Sequence, residues 1–173
     1  NTGPGYLGKR HSRVSNLPDF NGEYPVAAMA DEMLVEGEGQ LKGFLCVAGN
    51  PVLSTPNGEK LDQAFESLEF MVCFDYYVTE TSRHANIILP PVSALERDHY
   101  DVTFNGFATH NVAKYSPVLF TKPKDAKHDW QIYIELAERL DKNAPLPLKA
   151  ERKLIQKLGP EFILDQGLKR GPY

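Results

Sequence analysis

Amide, carboxylate, hydroxyl and guanidinium groups placed just past strand ends can grip a nucleotide, and this chain carries such a set. Asn50 follows the apolar run Gly43–Ala48, and the loop after it holds Ser54 and Thr55. An asparagine offers donors and an acceptor, and hydroxyls with amides near a helix N-terminus suit phosphate or ribose oxygens. The pair Asn50-Pro51 also reads as a plain turn, and the residues alone leave both readings open. Asp75 ends the next apolar run, Phe70–Phe74, where doubly wound folds place carboxylates that accept from ribose hydroxyls. A turn or helix-cap aspartate is the competing reading there. Thr79 and Thr81 follow in the same loop as weaker candidates of the same kind. Arg97 comes shortly after a third run, Asn86–Leu89, so its guanidinium either reaches the same cleft to pair with phosphate or makes a surface salt bridge with a carboxylate. Asp129 opens a helical pattern, and an N-cap role explains it fully. There is no GxGxxG, no P-loop, no CxxC and no defensible Ser/His/Asp or Cys/His spacing. The five histidines show no metal-binding pattern, so neither a catalytic residue nor a metal ligand is assigned.

The elements that must position these residues follow from apolar patterning. Continuous apolar runs of about 4–8 residues bounded by turn signals suit strands buried on both faces of a parallel sheet. Leu61, Ala64, Phe65 and Leu68 recur at helical spacing between the first two runs, which makes a βαβ unit. Thr55-Pro56 reads as N-cap and first position of a helix over 56–68. Pro25 opens an earlier helix with Val26, Met29, Ala30 and Met33 on one face. Glu80 to Ala85 fits one helical turn, and Pro90-Pro91 ends the third strand. Beyond it, Leu95–Asp98 reads as a helical turn, 104–107 as a tight turn and Thr109–Tyr115 as an edge strand. The clearest helix follows Asp129, with Trp130, Tyr133, Leu136, Ala137 and Leu140 on one face and a Glu135–Arg139 pair. A last helix over 149–158 is broken by Gly159-Pro160. The expected fold is therefore a three-layer α/β domain with a mainly parallel sheet. Its parts are an arm or loop over 1–24, the binding domain over 25–143, and a helical extension over 144–173 leading to a further domain.

At 173 residues the chain is large enough for a core, and its 42% hydrophobic and 24% charged residues are ordinary for a globular protein. A net charge of −4 gives no reason to expect nucleic acid or an anionic membrane as partner, and no run is long enough to span a bilayer. The start, Asn1–Gly5, is neither a signal peptide nor an initiator methionine, and both ends read as cuts within something longer. Cys46 and Cys73 fall in core runs and are expected as buried thiols of a cytoplasmic chain.

At the same loops the chain resembles the molybdopterin oxidoreductases, the dimethyl sulfoxide reductase family. The residues that carry this are Val47-Ala48-Gly49-Asn50-Pro51-Val52-Leu53-Ser54-Thr55-Pro56-Asn57 and the stretch from Asp75 through Thr79-Glu80-Thr81-Ser82-Arg83-His84-Ala85-Asn86-Ile87-Ile88-Leu89-Pro90. Leu95-Glu96-Arg97 and Lys127-His128-Asp129-Trp130 follow at similar spacing, so the likeness covers roughly residues 20–140. It implies a Rossmann-like domain that grips one molybdopterin guanine dinucleotide by its guanosine and pyrophosphate end. On that resemblance Asn50, Phe74, Asp75, Arg97 and Asp129 fall at cofactor-contacting positions. The parent would be an electron-transferring oxidoreductase acting on a small-molecule redox substrate, with the remaining domains as partners. An iron–sulfur cluster is possible in the parent but has no motif here, and this stretch alone should not turn over. The alternative is a structural relative without molybdenum, such as the large subunit of NADH–quinone reductase.

Overall fold

The computed structural model describes residues 5–170. The terminal residues read as cuts, Asn1–Pro4 and Gly171–Tyr173, lie outside it. The chain divides into two compact units at the Pro90–Pro91 junction, inside the block 25–143 expected from sequence. Two consecutive prolines end strand pairing there because neither has an N–H for the ladder.

The first unit opens with an antiparallel hairpin of β1 (Leu7–His11) and β2 (Pro18–Phe20), so the arm expected at this end is partly paired. Asp19, completely buried, ties β2 to β1 and to the turn after it by accepting from the Arg10 and Gly22 amides at 2.8 and 3.1 Å. A 3₁₀ turn, Val26–Ala28, leads into α1 (Met29–Leu34). Arg13 caps the far end of that helix, donating to the Val35 carbonyl at 2.6 Å and pairing with Glu32 at 3.4 Å. A cation on the terminal carbonyls complements the helix dipole.

β3 (Gly43–Val47), β4 (Phe70–Phe74) and β5 (Ile87–Ile88) form the parallel sheet, in that order. Between β3 and β4 run α2 (Pro51–Ser54) and α3 (Gly58–Glu66). The single helix expected over 56–68 is α3, shorter at both ends; a further short helix, α2, precedes it, and the cap of α3 is Asn57 rather than Thr55, its side chain accepting from the Lys60 amide. Thr55 is extended (φ −117°, ψ 161°) because the proline after it disfavours helical backbone. Gly58 is required where the two helices meet, since a Cβ there would lie 2.2 Å from the Val52 carbonyl oxygen.

Strand alternation builds the core on one side. Cys46, Met71 and Cys73 pack with Met33 of α1 and Leu61, Ala64 and Phe65 of α3, and Phe44 and Ile88 border them. Burial on both faces, expected from the unbroken apolar runs, holds for this face alone. On the other, Leu45, Val47, Phe70 and Ile87 are 44–50% exposed although Phe74 is buried. α1 and α3 both contribute to the same core cluster and α2 packs against it through Val52, which leaves those side chains without cover from it.

In the second unit, β6 (His99–Tyr100) pairs antiparallel with β7 (Tyr115–Ser116), a much shorter ladder than the edge strand expected over 109–115. Residues 94–97 are turns rather than helix. Between the strands, α4 (Val102–Asn105) is capped by Asp101 and closes at Gly106, where a tight turn was expected. α5 (Asp129–Leu140) bears the Glu135–Arg139 pair at 3.3 Å. Its N-cap is His128, not Asp129, and the Gln131 side chain accepts from the His128 amide at 3.0 Å. α6 (Leu146–Lys169) is two helical pieces joined at Gly159, whose φ of 75° breaks the helical path before Pro160. No helix among the described residues is long and apolar enough to cross a membrane.

Candidate functional site

The last register pair of the first ladder is Val47 with Phe74. The carboxyl ends of β3 and β4 are therefore level, and the loops after them leave the sheet side by side. In parallel α/β sheets this edge is where ligands bind. The Ala48 amide donates to the Phe74 carbonyl at 2.9 Å, extending the ladder one step. Ala48 itself has a φ of 49°, a left-handed conformation uncommon outside glycine, asparagine and aspartate. Such strain at a strand end is a mark of functional loops.

Asn50 is the N-cap of α2, and its carbonyl accepts from the Leu53 and Ser54 amides at 3.0 Å. Its side chain reaches the neighbouring loop: Nδ2 donates to Glu80 Oε2 at 2.7 Å, while Oδ1 accepts from the Thr81 hydroxyl, also at 2.7 Å. Thr81 is wholly buried and accepts in turn from the Val52 amide at 3.0 Å. Asp75 Oδ1 accepts from the Tyr76 amide at 2.7 Å and, closing an Asx turn, from the Tyr77 amide at 3.4 Å. Beyond it Tyr77 and Val78 are about three-quarters exposed, at 77% and 74%.

The other candidates of the first unit sit in structural settings. Ser54 turns its hydroxyl back onto the Asn50 carbonyl at 3.1 Å. Thr79 exchanges hydrogen bonds with buried Ser82: the Thr79 amide donates to Ser82 Oγ at 2.7 Å and Thr79 Oγ1 accepts from the Ser82 amide at 3.1 Å. These bonds start the 3₁₀ turn Ser82–His84. Phe74 is 2% exposed, so what it offers the loop is its backbone. Glu80 was missed by sequence reasoning, because a glutamate between two threonines carries no spacing signal. The hydrogen bond from Asn50 holds its carboxyl below the usual glutamate range. Arg83 is committed elsewhere, with both Asp62 oxygens 2.6 Å from its Nη2 and His84 Nε2 2.6 Å from Asp62 Oδ1. His84 and then Arg83 depress the Asp62 carboxyl.

This donor set fits one part of a guanine dinucleotide better than another. Asp75 and Glu80 are acceptors, suited to ribose hydroxyls and to guanine N1–H and N2–H. A phosphate placed against them would be repelled and needs a cation from elsewhere.

In the second unit Arg97 Nη1 is bonded to Asp129 Oδ2, and Asp129 Oδ1 accepts from the Trp130 amide at 2.9 Å. The His128 and Trp130 rings stack with centroids 6.2 Å apart. Arg97, His128, Asp129 and Trp130 border a cleft of about 780 Å³ that Ile163, Leu164 and other residues of α6 also line. Burial, and then the Asp129 charge, push the nearby Tyr133 hydroxyl up. Arg97 thus meets a carboxylate, as the salt-bridge reading has it, and both partners stay partly accessible at 31% and 34%.

The family model for molybdopterin oxidoreductases matches residues 13–139, which include both strand-end loops and the Arg97–Asp129 pair. The chain belongs to the molybdopterin oxidoreductase family. Over 105 residues it is 36% identical to the assimilatory nitrate reductase catalytic subunit of Bacillus subtilis, covering 61% of this chain and 14% of that protein. Over 165 residues it is 26% identical to the F420-dependent formate dehydrogenase 2 subunit alpha of Methanococcus maripaludis, covering 91% of this chain and 23% of that subunit. A nitrate reductase of Synechocystis is 34% identical over 113 residues, with 63% of this chain and 15% of that enzyme covered. The chain thus spans less than a quarter of the length of each of these relatives.

Proposed function

We propose that this chain is the part of a molybdenum oxidoreductase that grips the guanosine and pyrophosphate end of one molybdopterin guanine dinucleotide. The observation that carries the reading is the level carboxyl edge of β3 and β4, which puts Asn50, Asp75 and Glu80 on adjacent loops. Asp75 would accept from the guanosine portion, with Asn50 beside it. Ser54 and Thr79 would shape the two loops, and Phe74 would anchor the strand end. Within the second unit Arg97 would offer a cation to a phosphate and Asp129 an acceptor to a guanine edge, and each holds the other until a ligand competes. The cofactor, when bound, supplies the redox-active molybdenum. The residues described here bind and orient it and perform no chemical step. The whole protein would be a cytoplasmic oxidoreductase that passes electrons to or from a small-molecule substrate, with its remaining domains as partners and this stretch inactive alone. Relatives that include nitrate reductases and a formate dehydrogenase favour this over the molybdenum-free scaffold.

Asp75→Ala in the full-length protein tests the reading. A hydrogen bond to a charged acceptor contributes about 1.5–3 kcal/mol, so cofactor affinity should fall roughly tenfold to a hundredfold. Cofactor content per folded molecule and melting temperature are measured on the same variant. Lower content with nearly unchanged melting supports the proposal. Unchanged content with lost stability would make Asp75 a turn residue only.

A further inference from the structure

The chemistry of its neighbours leaves the Asn50 side chain one orientation. The Thr81 oxygen already accepts from the Val52 amide and lies 2.7 Å from the Asn50 side chain. The hydroxyl has a second lone pair, so the end of the amide that faces Thr81 is decided by the other neighbour. Glu80, ionised, has no proton to give and lies 2.7 Å from the other end of the amide, which must therefore be the NH₂. Two groups on the β4 loop thus agree on one rotamer of a residue on the β3 loop. One Nδ2–H and one Oδ1 lone pair are left over.

We infer that Thr81 is a positioning residue for Asn50 and, with Glu80, fixes the direction in which the remaining amide proton is offered to a ligand. The inference rests on the reading of Asn50 as a cofactor contact. Thr81 is fully buried and touches no ligand itself. Its hydroxyl acts by holding Oδ1 in place, while Glu80 excludes the flipped state, in which an oxygen would face its carboxylate. The hydroxyl also ties the start of α2 to the loop after β4, so the two loops move as one. Without the hydroxyl Oδ1 loses its donor and the amide is held by Glu80 alone, so it swings about that one bond and the free proton points at a bound group only part of the time.

The test uses the full-length protein and its own molybdopterin guanine dinucleotide, followed as pterin and guanine released over time. Asn50→Ala, Thr81→Val, Thr81→Ser and the double variant Asn50→Ala/Thr81→Val are compared with the parent. Losing one neutral hydrogen bond in an organised site is worth about fivefold to tenfold. Thr81→Val should therefore release cofactor that much faster, and Thr81→Ser should restore the parent rate. In the Asn50→Ala background Thr81→Val should add nothing, the signature of a residue acting through its neighbour. An undiminished Thr81→Val effect in that background would mean general loosening and would overturn the inference, as would parent-like release from Thr81→Val. Parent-like release from Asn50→Ala would overturn the underlying reading and this inference with it. If Thr81→Val does not fold, Glu80→Ala carries the test in both backgrounds: faster release in the parent and none added in Asn50→Ala supports the inference, while unchanged release in the parent, or an undiminished effect in Asn50→Ala, overturns it.

Discussion

Cys46 and Cys73 show how position alone can silence a reactive side chain. They are direct register partners on neighbouring parallel strands, both free thiols and both at least 94% buried. Burial pushes the Cys73 thiol up to about 12 and raises Cys46 as well. At pH 8 a thiol with that value is thiolate in only about one molecule in ten thousand, and thiolate is the reactive form. Ellman's reagent at pH 8 should leave the folded chain almost untouched and find two groups per chain in guanidinium. Rapid reaction of either cysteine in the folded chain would contradict the burial described. Around Asn50 the opposite holds, since nearly every polar atom is engaged yet the ligand-side valences stay open.

Among the elements, the α2–α3 junction is the least forgiving. Gly58 starts α3 against the Val52 carbonyl of α2, and Asn57 before it caps α3 with a φ of 58°. Gly58→Ala forces a backbone shift in a segment bonded to Thr81, and overpacking of this kind costs about 1–3 kcal/mol. Urea unfolding should show a lower midpoint with an unchanged slope. A midpoint equal to the parent's would mean the junction opens freely. The strands and the α3 face were legible because apolar runs and helical spacing are local signals. The short α2 ahead of it and the later start of α3 at Gly58 were not, because they depend on Pro56 restricting Thr55 and on one carbonyl contact. Asp129 looked like a cap because its type fits, yet His128 takes that position and frees Asp129 to meet Arg97, 32 residues away. Asn50 and Asp75 could be picked out as strand-end residues, whereas Glu80 could not: its role exists only through a contact 30 residues back along the chain.

For the molecule as a whole, the sheet order β3-β4-β5 makes β3 an edge, with no strand on its outer side among the described residues. Two of its outward side chains, Leu45 and Val47, are 48% and 45% exposed. A parallel sheet is ordinarily covered on both faces, and an uncovered apolar edge strand is a template for pairing with another copy. The consequence is colloidal. Prepared alone, this chain should associate with rising concentration through β3, well below the temperature at which it unfolds. Leu45→Lys puts a charge on that edge without entering the buried cluster, and should keep light scattering flat to higher concentration at an unchanged melting temperature. Scattering that rises equally in the variant would locate the sticky surface elsewhere. Handling and storage of the protein would then be governed by a strand whose first duty is to hold Asn50 in place.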